Sequence, residues 1–287
     1  MSGALAFVLN FDAELELEHG PRYQRPRAMA ARVESIAASM RSSLPSGSSV
    51  IDPLGQSAPD DATPIAWCPT PLALAAIRSA GLGAPSVPDV AVLTRVNARP
   101  FAFALAGEEL EGSVLARDLD AAHRALARPG AWLLKRCFGV SGRGQRPVRG
   151  GETSAHDTSF IAASLRDHGA LVIEPRVVIV RELSVHAWKS AERTHVRSIR
   201  QQEVDAHGAF VASALARDLE GATEASLVQT AERVGDALGT AGYVGPFGVD
   251  AYEHRGDGTH PLTLRALSEI NARYCMGWDE RDGWLPP

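Results

Sequence analysis

The sequence predicts a mixed α/β (α+β) protein built in two parts, and three observations carry that prediction. Strand-like and helix-like stretches alternate in the N-terminal third, before Arg95. The texture then changes, with glycine-punctuated strand signals and one long amphipathic helix near the end. A chain of 287 residues, 45% of them hydrophobic, suffices for roughly two cores at about 150 residues each.

Element by element, "ALAFVLNF" reads as a strand and "RPRAMAARVESIAASMRSSL" as a helix with an apolar 3-4 rhythm. "PIAWCPT", "PLALAAIRSAG" and "DVAVLTRV" then repeat the order strand, helix, strand. Beyond a boundary near Arg95, "PFAFALAG" predicts a helix, "SVLAR" a strand, and Asp118 caps a further helix leading to a strand that ends in Lys135. "DTSFIAASLRDHG" is a helix stopped by Gly169, and "ALVIEPRV" is a strand. "RELSVHAW" and "THVRSIRQQEV" alternate like antiparallel strands. "EASLVQTAERVGDALGTAG" is the long amphipathic helix. "GPFGVDAYEH" and "LTLRALSEINARY" close the chain as strands joined by a turn at Asp257-Gly258.

Composition narrows the function. A net charge of −5 and a pI near 6.0 provide no broad basic face, which argues against a nucleic-acid partner. The apolar start is short and turns acidic at once, and no later run approaches the ~18 apolar residues of a membrane span, so a cytoplasmic protein without a membrane partner is expected. Cys68, Cys137 and Cys275 form no C-x-x-C pair, and the nine histidines show no metal-ligand spacing, so reduced structural thiols and no zinc are expected.

Two stretches carry chemistry. Of the 29 basic residues only Lys135 and Lys189 are lysines, and "WLLKRCFGVSGRGQR" sets Lys135 at the end of an apolar strand before a glycine-rich turn. The turn lacks the G-K-[ST] ending of a P-loop, opens no helix as a Rossmann loop does, and follows its lysine where a kinase loop precedes it. What remains is a hairpin whose glycines let backbone N–H groups approach an anion, although such turns are common and alone specify no ligand. Lys189 is expected at a solvated strand end.

The second stretch is "SEINARYCMGW". On a strand, residues two apart share a face, so Glu269, Asn271 and Arg273 line up as carboxylate, amide and guanidinium, with Asp250 on the preceding strand of the same hairpin. An Asp, a Glu and an Asn supply oxygen ligands for a hard cation such as Mg²⁺. A solvated edge strand with a Glu–Arg pair has the same spacing, but Leu264, Leu267 and Ile270 favour a strand with one buried side.

Taken in order, Lys135, "GVSGRG", "VIEP", "RELSV", "GVD" and "EINAR" resemble the ATP-grasp superfamily over about residues 95–276. The resemblance implies an ATP-grasp fold over residues 96–287, preceded by a small α/β domain over 1–95. The grasp divides into a lysine and glycine-hairpin subdomain, 96–170, and a metal-binding subdomain, 171–287. It implies that Lys135 contacts the α-phosphate side of ATP and that Ser141, Gly142, Arg143 and Gly144 close over the phosphates. Glu174, Pro175, Arg176 and Val177 hold adenine, and Glu182 accepts from the ribose. Asp250, Glu269 and Asn271 bind two Mg²⁺ ions, with Mn²⁺ as a substitute, and Arg273 steadies the transferring phosphoryl group or the substrate carboxylate. The family usually carries a further lysine near the start of the grasp, where this chain offers Arg99 as the phosphate contact. The implied reaction is ADP-forming ligation: ATP converts a small-molecule carboxylate into an acyl phosphate that an amine attacks. A phosphotransferase and a non-catalytic ATP-binding module are the alternatives, and a homodimer is compatible with each. Arg197, Arg200, Gln202 and His186 are the residues expected to line the acceptor site, although a solvated strand face accounts for the arginines equally well.

Overall fold

The structure, a computed structural model, describes residues 4–51, 58–107, 110–139, 143–204 and 210–287. At the N-terminus, β1 (Leu5–Val8) is the centre of a three-stranded parallel sheet between β2 (Ser49–Val50) and β3 (Thr63–Ala66). A central parallel strand is covered on both faces, hence the unbroken apolar run "LAFV". Leu5 and Phe7 meet Met29, Val33 and Met40 of α2 (Arg27–Met40), while Ala6 and Val8 meet Ala73 and Ile77 of α3 (Pro71–Ser79). Between β1 and α2 lies α1 (Ala13–His19), an acidic helix that the sequence reading passed over.

"DVAVLTRV", expected as a strand, is instead the helix α4 (Val90–Asn97). Asp89 caps it by accepting from the Ala91 N–H at 2.7 Å, and Leu93 and Val96, three apart, reach the core together. The β-branched valines suggested a strand; the cap and burial at helical spacing prevailed. After α5 (Arg99–Ala106) come β4 (Val114–Ala116), α6 (Leu119–Leu126), β5 (Gly130–Arg136), β6 (Gln145–Gly150), α7 (Ala155–His168) and β7 (Leu171–Pro175). These strands make an antiparallel sheet in the order β4-β7-β5-β6. Trp132 and Leu134 of β5 and Leu171 and Ile173 of β7 pack with Leu126 of α6 and Ile161 of α7. By the two-residue alternation of strands, Leu133, Lys135, Val172 and Glu174 face the other way.

A second antiparallel sheet, β10-β9-β8-β11-β12, combines β8 (Ile179–Lys189), β9 (Thr194–Val204), β10 (Phe210–Leu215), β11 (Gly245–His254) and β12 (Thr263–Asn271). The edge strand β10 had not been expected. Val185, Ala187, Phe247 and Val249 pack onto Leu227, Ala231, Val234 and Leu238 of α8 (Gly221–Thr240), all fully buried. Glu182, Ser184 and Asp250 therefore lie on the opposite face. α5 packs beside β12 and completes that core. The polar faces of the two antiparallel sheets meet across a cleft. Lys189 is buried against Gly239 of α8, with Asp236 at 3.6 Å, and not at a solvated strand end. All three cysteines are buried and free, and no helix among the described residues is long and apolar enough to cross a membrane.

Candidate active site

A cleft of ≈ 1470 Å³ separates the two sheets, and twelve of the residues singled out from the sequence line it: Arg99, Lys135, Arg143, Glu174, Pro175, Arg176, Val177, Glu182, Asp250, Glu269, Asn271 and Arg273. Gly144 sits at the hairpin root instead, its carbonyl accepting from the Arg136 N–H at 2.8 Å. Ser141 and Gly142 lie outside the described residues. Arg200 and Gln202 also line the cleft, whereas Arg197 and His186 do not. His186 is sealed in the interior, stacked on Trp278 with its Nδ1 3.2 Å from Asp282.

On the first wall, the ammonium of Lys135 pairs with Glu174, whose other carboxylate oxygen takes Nη1 of Arg265 at 2.9 Å. Burial alone would raise the Glu174 carboxyl. The charges of Lys135 and Arg265 override it and hold the group below the usual carboxylate range. Arg265 also donates to the Tyr252 hydroxyl at 2.7 Å. The segment after Glu174 is pinned from both sides, since the Arg176 N–H donates to Ala131 O at 2.9 Å and the Val178 N–H to Gly256 O at 2.7 Å. Glu182 faces the cleft from β8, its carboxyl raised by burial with partial relief from Lys135.

On the second wall the β11–β12 ladder places Asp250 opposite Glu269 and Gly248 opposite Asn271. The Asn271 amide donates to Asp250 at 2.8 Å, and Arg273 donates to Asn271 Oδ1 at 2.9 Å. Burial, and then the neighbouring Glu269 charge, push the Asp250 carboxyl up to about 6. Arg273 is closed from behind by Glu14 of α1, which accepts from its Nε at 2.6 Å. This contact joins the N-terminal sheet region to the end of β12. The sequence reading missed Glu14, Arg265 and Asn97, whose Oδ1 accepts the Ala272 N–H at 2.8 Å. The scarcity of Asn was a usable signal for Asn97; for Glu14 the only sign was an acidic run directly after a buried strand.

Among the described residues no three His, Cys, Asp or Glu side chains gather as a metal site. The set present is smaller: two facing carboxylates and one amide. That set fits Mg²⁺, which retains water and takes phosphate oxygens in its remaining positions, and an added cation would relieve the Asp250–Glu269 repulsion. The buried cations Lys135 and Arg99 and the half-buried Arg273 surround the same space.

No protein-family model and no curated protein sequence matches the chain. Solved structures do match. The N5-carboxyaminoimidazole synthetase from Staphylococcus aureus, complexed with ADP, aligns at TM-score 0.56 and 11% identity, over 99% of this chain and 76% of that one. D-alanyl-alanine synthetase A from Vibrio cholerae O1 biovar eltor str. N16961 aligns at 0.54 and 12%, over 95% and 89%. Biotin carboxylase from Campylobacter jejuni, in a β,γ-ATP complex, aligns at 0.54 and 13%, over 95% and 66%. These are ATP-grasp proteins, and this chain has the ATP-grasp fold.

Proposed function

We propose that the cleft binds Mg·ATP and that the protein is an ADP-forming ligase, activating a small-molecule carboxylate as an acyl phosphate for attack by an amine. The observation that carries this reading is the facing of two polar walls across one cleft: Asp250, Glu269, Asn271 and Arg273 on one, and the Lys135–Glu174 pair beside the glycine hairpin on the other. The nucleotide complexes of the S. aureus and C. jejuni proteins support the choice of ligand. We place the division of the chain near Arg95, with 1–95 preceding the grasp and 96–287 forming it.

In this reading Lys135 contacts the α-phosphate side, Arg143 and the hairpin cover the phosphates, and the segment Pro175–Val177 holds the base at the pinned strand end. Glu182 accepts from the ribose. Glu174, with both oxygens held by cations, positions Lys135 and lies at the base-binding end. Asp250, Glu269 and Asn271 would hold two Mg²⁺ ions, which would supply charge neutralisation at the phosphates. Arg273, fixed by Glu14 and Asn271, aligns the carboxylate with the transferring phosphoryl group. Arg200 and Gln202 line the acceptor end. No side chain has to move a proton in the first step, because a carboxylate is already ionised.

The test is ADP release from Mg·ATP across a panel of small carboxylates, each with and without amines. Release that requires both supports the ligase. Release with a phosphate acceptor alone assigns a phosphotransferase, and nucleotide binding with no release across the panel removes the catalytic reading.

A further inference from the structure

We infer that Arg99 is a positioning residue that holds the metal carboxylate Glu269 while the cleft lacks nucleotide, so that metal binds together with nucleotide and not before it. This rests on the reading of Asp250, Glu269 and Asn271 as Mg²⁺ ligands. Arg99 opens α5 and is only 6% exposed. Its backbone N–H donates to Cys137 O at 2.9 Å, and Nη1 donates to Arg136 O at 2.7 Å; both acceptors lie at the end of β5, directly before the glycine hairpin. Nη2 reaches across to Oε1 of Glu269 at 3.1 Å. One guanidinium thus ties the hairpin root to a proposed metal ligand.

Two further observations concern the same guanidinium. The Nε of Arg99 is buried and has no hydrogen-bond partner. A buried N–H left unpaired costs free energy, and a phosphate oxygen could pair it. Gly139, the first hairpin glycine, packs against the same group: a Cβ built there would stand 3.0 Å from both Nη1 and Nη2. Arg99 therefore senses the hairpin and Glu269 at once. A cation already seated on Glu269 opposes a divalent ion at the same carboxylate by like-charge repulsion. The nucleotide's phosphates supply the anion that can draw the guanidinium away and free Glu269. An ammonium could not serve the Arg136 carbonyl and Glu269 through separate arms of a planar fork, which accounts for arginine at this position.

Mn²⁺ titration of the full chain, followed by the electron paramagnetic resonance of free Mn²⁺, tests this without turnover, in the presence and absence of ADP. The parent should take up Mn²⁺ tightly only with ADP. Arg99→Met should tighten nucleotide-free Mn²⁺ binding by roughly ten-fold or more, the scale of one charge-assisted contact. Adding Glu269→Gln to that variant should remove the gain. Equal Mn²⁺ affinity in the parent and Arg99→Met, without ADP, overturns the inference. If Arg99→Met does not fold, Arg99→Gln carries the same comparison: it removes the charge but keeps a polar side chain for the Arg136 carbonyl, and nucleotide-free Mn²⁺ affinity equal to the parent's overturns the inference there too. If the parent takes up no Mn²⁺ even with ADP, the metal reading fails, and the role of Arg99 fails with it.

Discussion

Asp250 and Glu269 face each other directly across the β11–β12 ladder, so two carboxylates share one half-buried corner, with the Asn271 amide on Asp250 and the Arg99 guanidinium on Glu269. The repulsion has a consequence for stability. Because the folded-state pKa of Asp250 is raised to about 6, the native protein holds a proton that the unfolded chain has already lost. Metal-free stability should therefore fall as pH rises from about 4 to about 6, with a contribution of up to about 1.4 kcal/mol per pH unit. Thermal unfolding in EDTA should show this slope in the parent and a flatter profile in Asp250→Asn. Identical slopes would remove Asp250 as the strained group.

Lys135 should not be replaceable by arginine. It is buried at the strand end, in contact with Glu174, where a planar fork has little room. Lys135→Arg should lose much of the nucleotide affinity despite its unchanged charge. Lys135→Ala should lose roughly ten- to a hundred-fold, the scale of a charge-assisted hydrogen bond. The exposed Arg149→Ala is the comparison, measured by the same ATP titration; equal effects at the two positions would end the phosphate role of Lys135.

The hairpin root should reject a methyl group. At Gly139 an added Cβ would collide with the backbone carbonyl of Arg143 and press on Arg99, whereas at Gly83 it would meet nothing within 4 Å. Gly139→Ala should destabilise by about 1–3 kcal/mol, as overpacking does, and weaken nucleotide binding, while Gly83→Ala leaves both unchanged. Denaturant unfolding and ATP titration of the two variants check the difference.

The contact between Glu14 and Arg273 should be a strong link between α1 and the end of β12. Both side chains are largely buried, so removing one leaves the other's charge stranded. Glu14→Gln should cost about 3–5 kcal/mol, and combining it with Arg273→Gln should recover part of that loss. Additive losses in that double-mutant cycle would show that the pair is not coupled.

Much of this molecule was legible in the sequence. The β11–β12 hairpin followed from two strand-like segments flanking the turn at Asp257-Gly258, and the lysine strand from an apolar run ending in a scarce residue type. The helix over Val90–Asn97 was not legible, because four β-branched residues, Val90, Val92, Thr94 and Val96, imitate a strand until the Asp89 cap is seen. Arg99 was found but not its partner, since a contact from the start of α5 to β12 depends on how two distant segments pack. Glu14 was missed for the same reason: 259 positions separate it from Arg273.

Calorimetric titration of ATP into the protein, with Mg²⁺ and then in EDTA, tests the central claim most directly. The two-walled cleft predicts much tighter ATP binding with Mg²⁺, and loss of that difference in Asn271→Ala and Glu269→Gln. Equal ATP affinity with and without Mg²⁺ in the parent would contradict it.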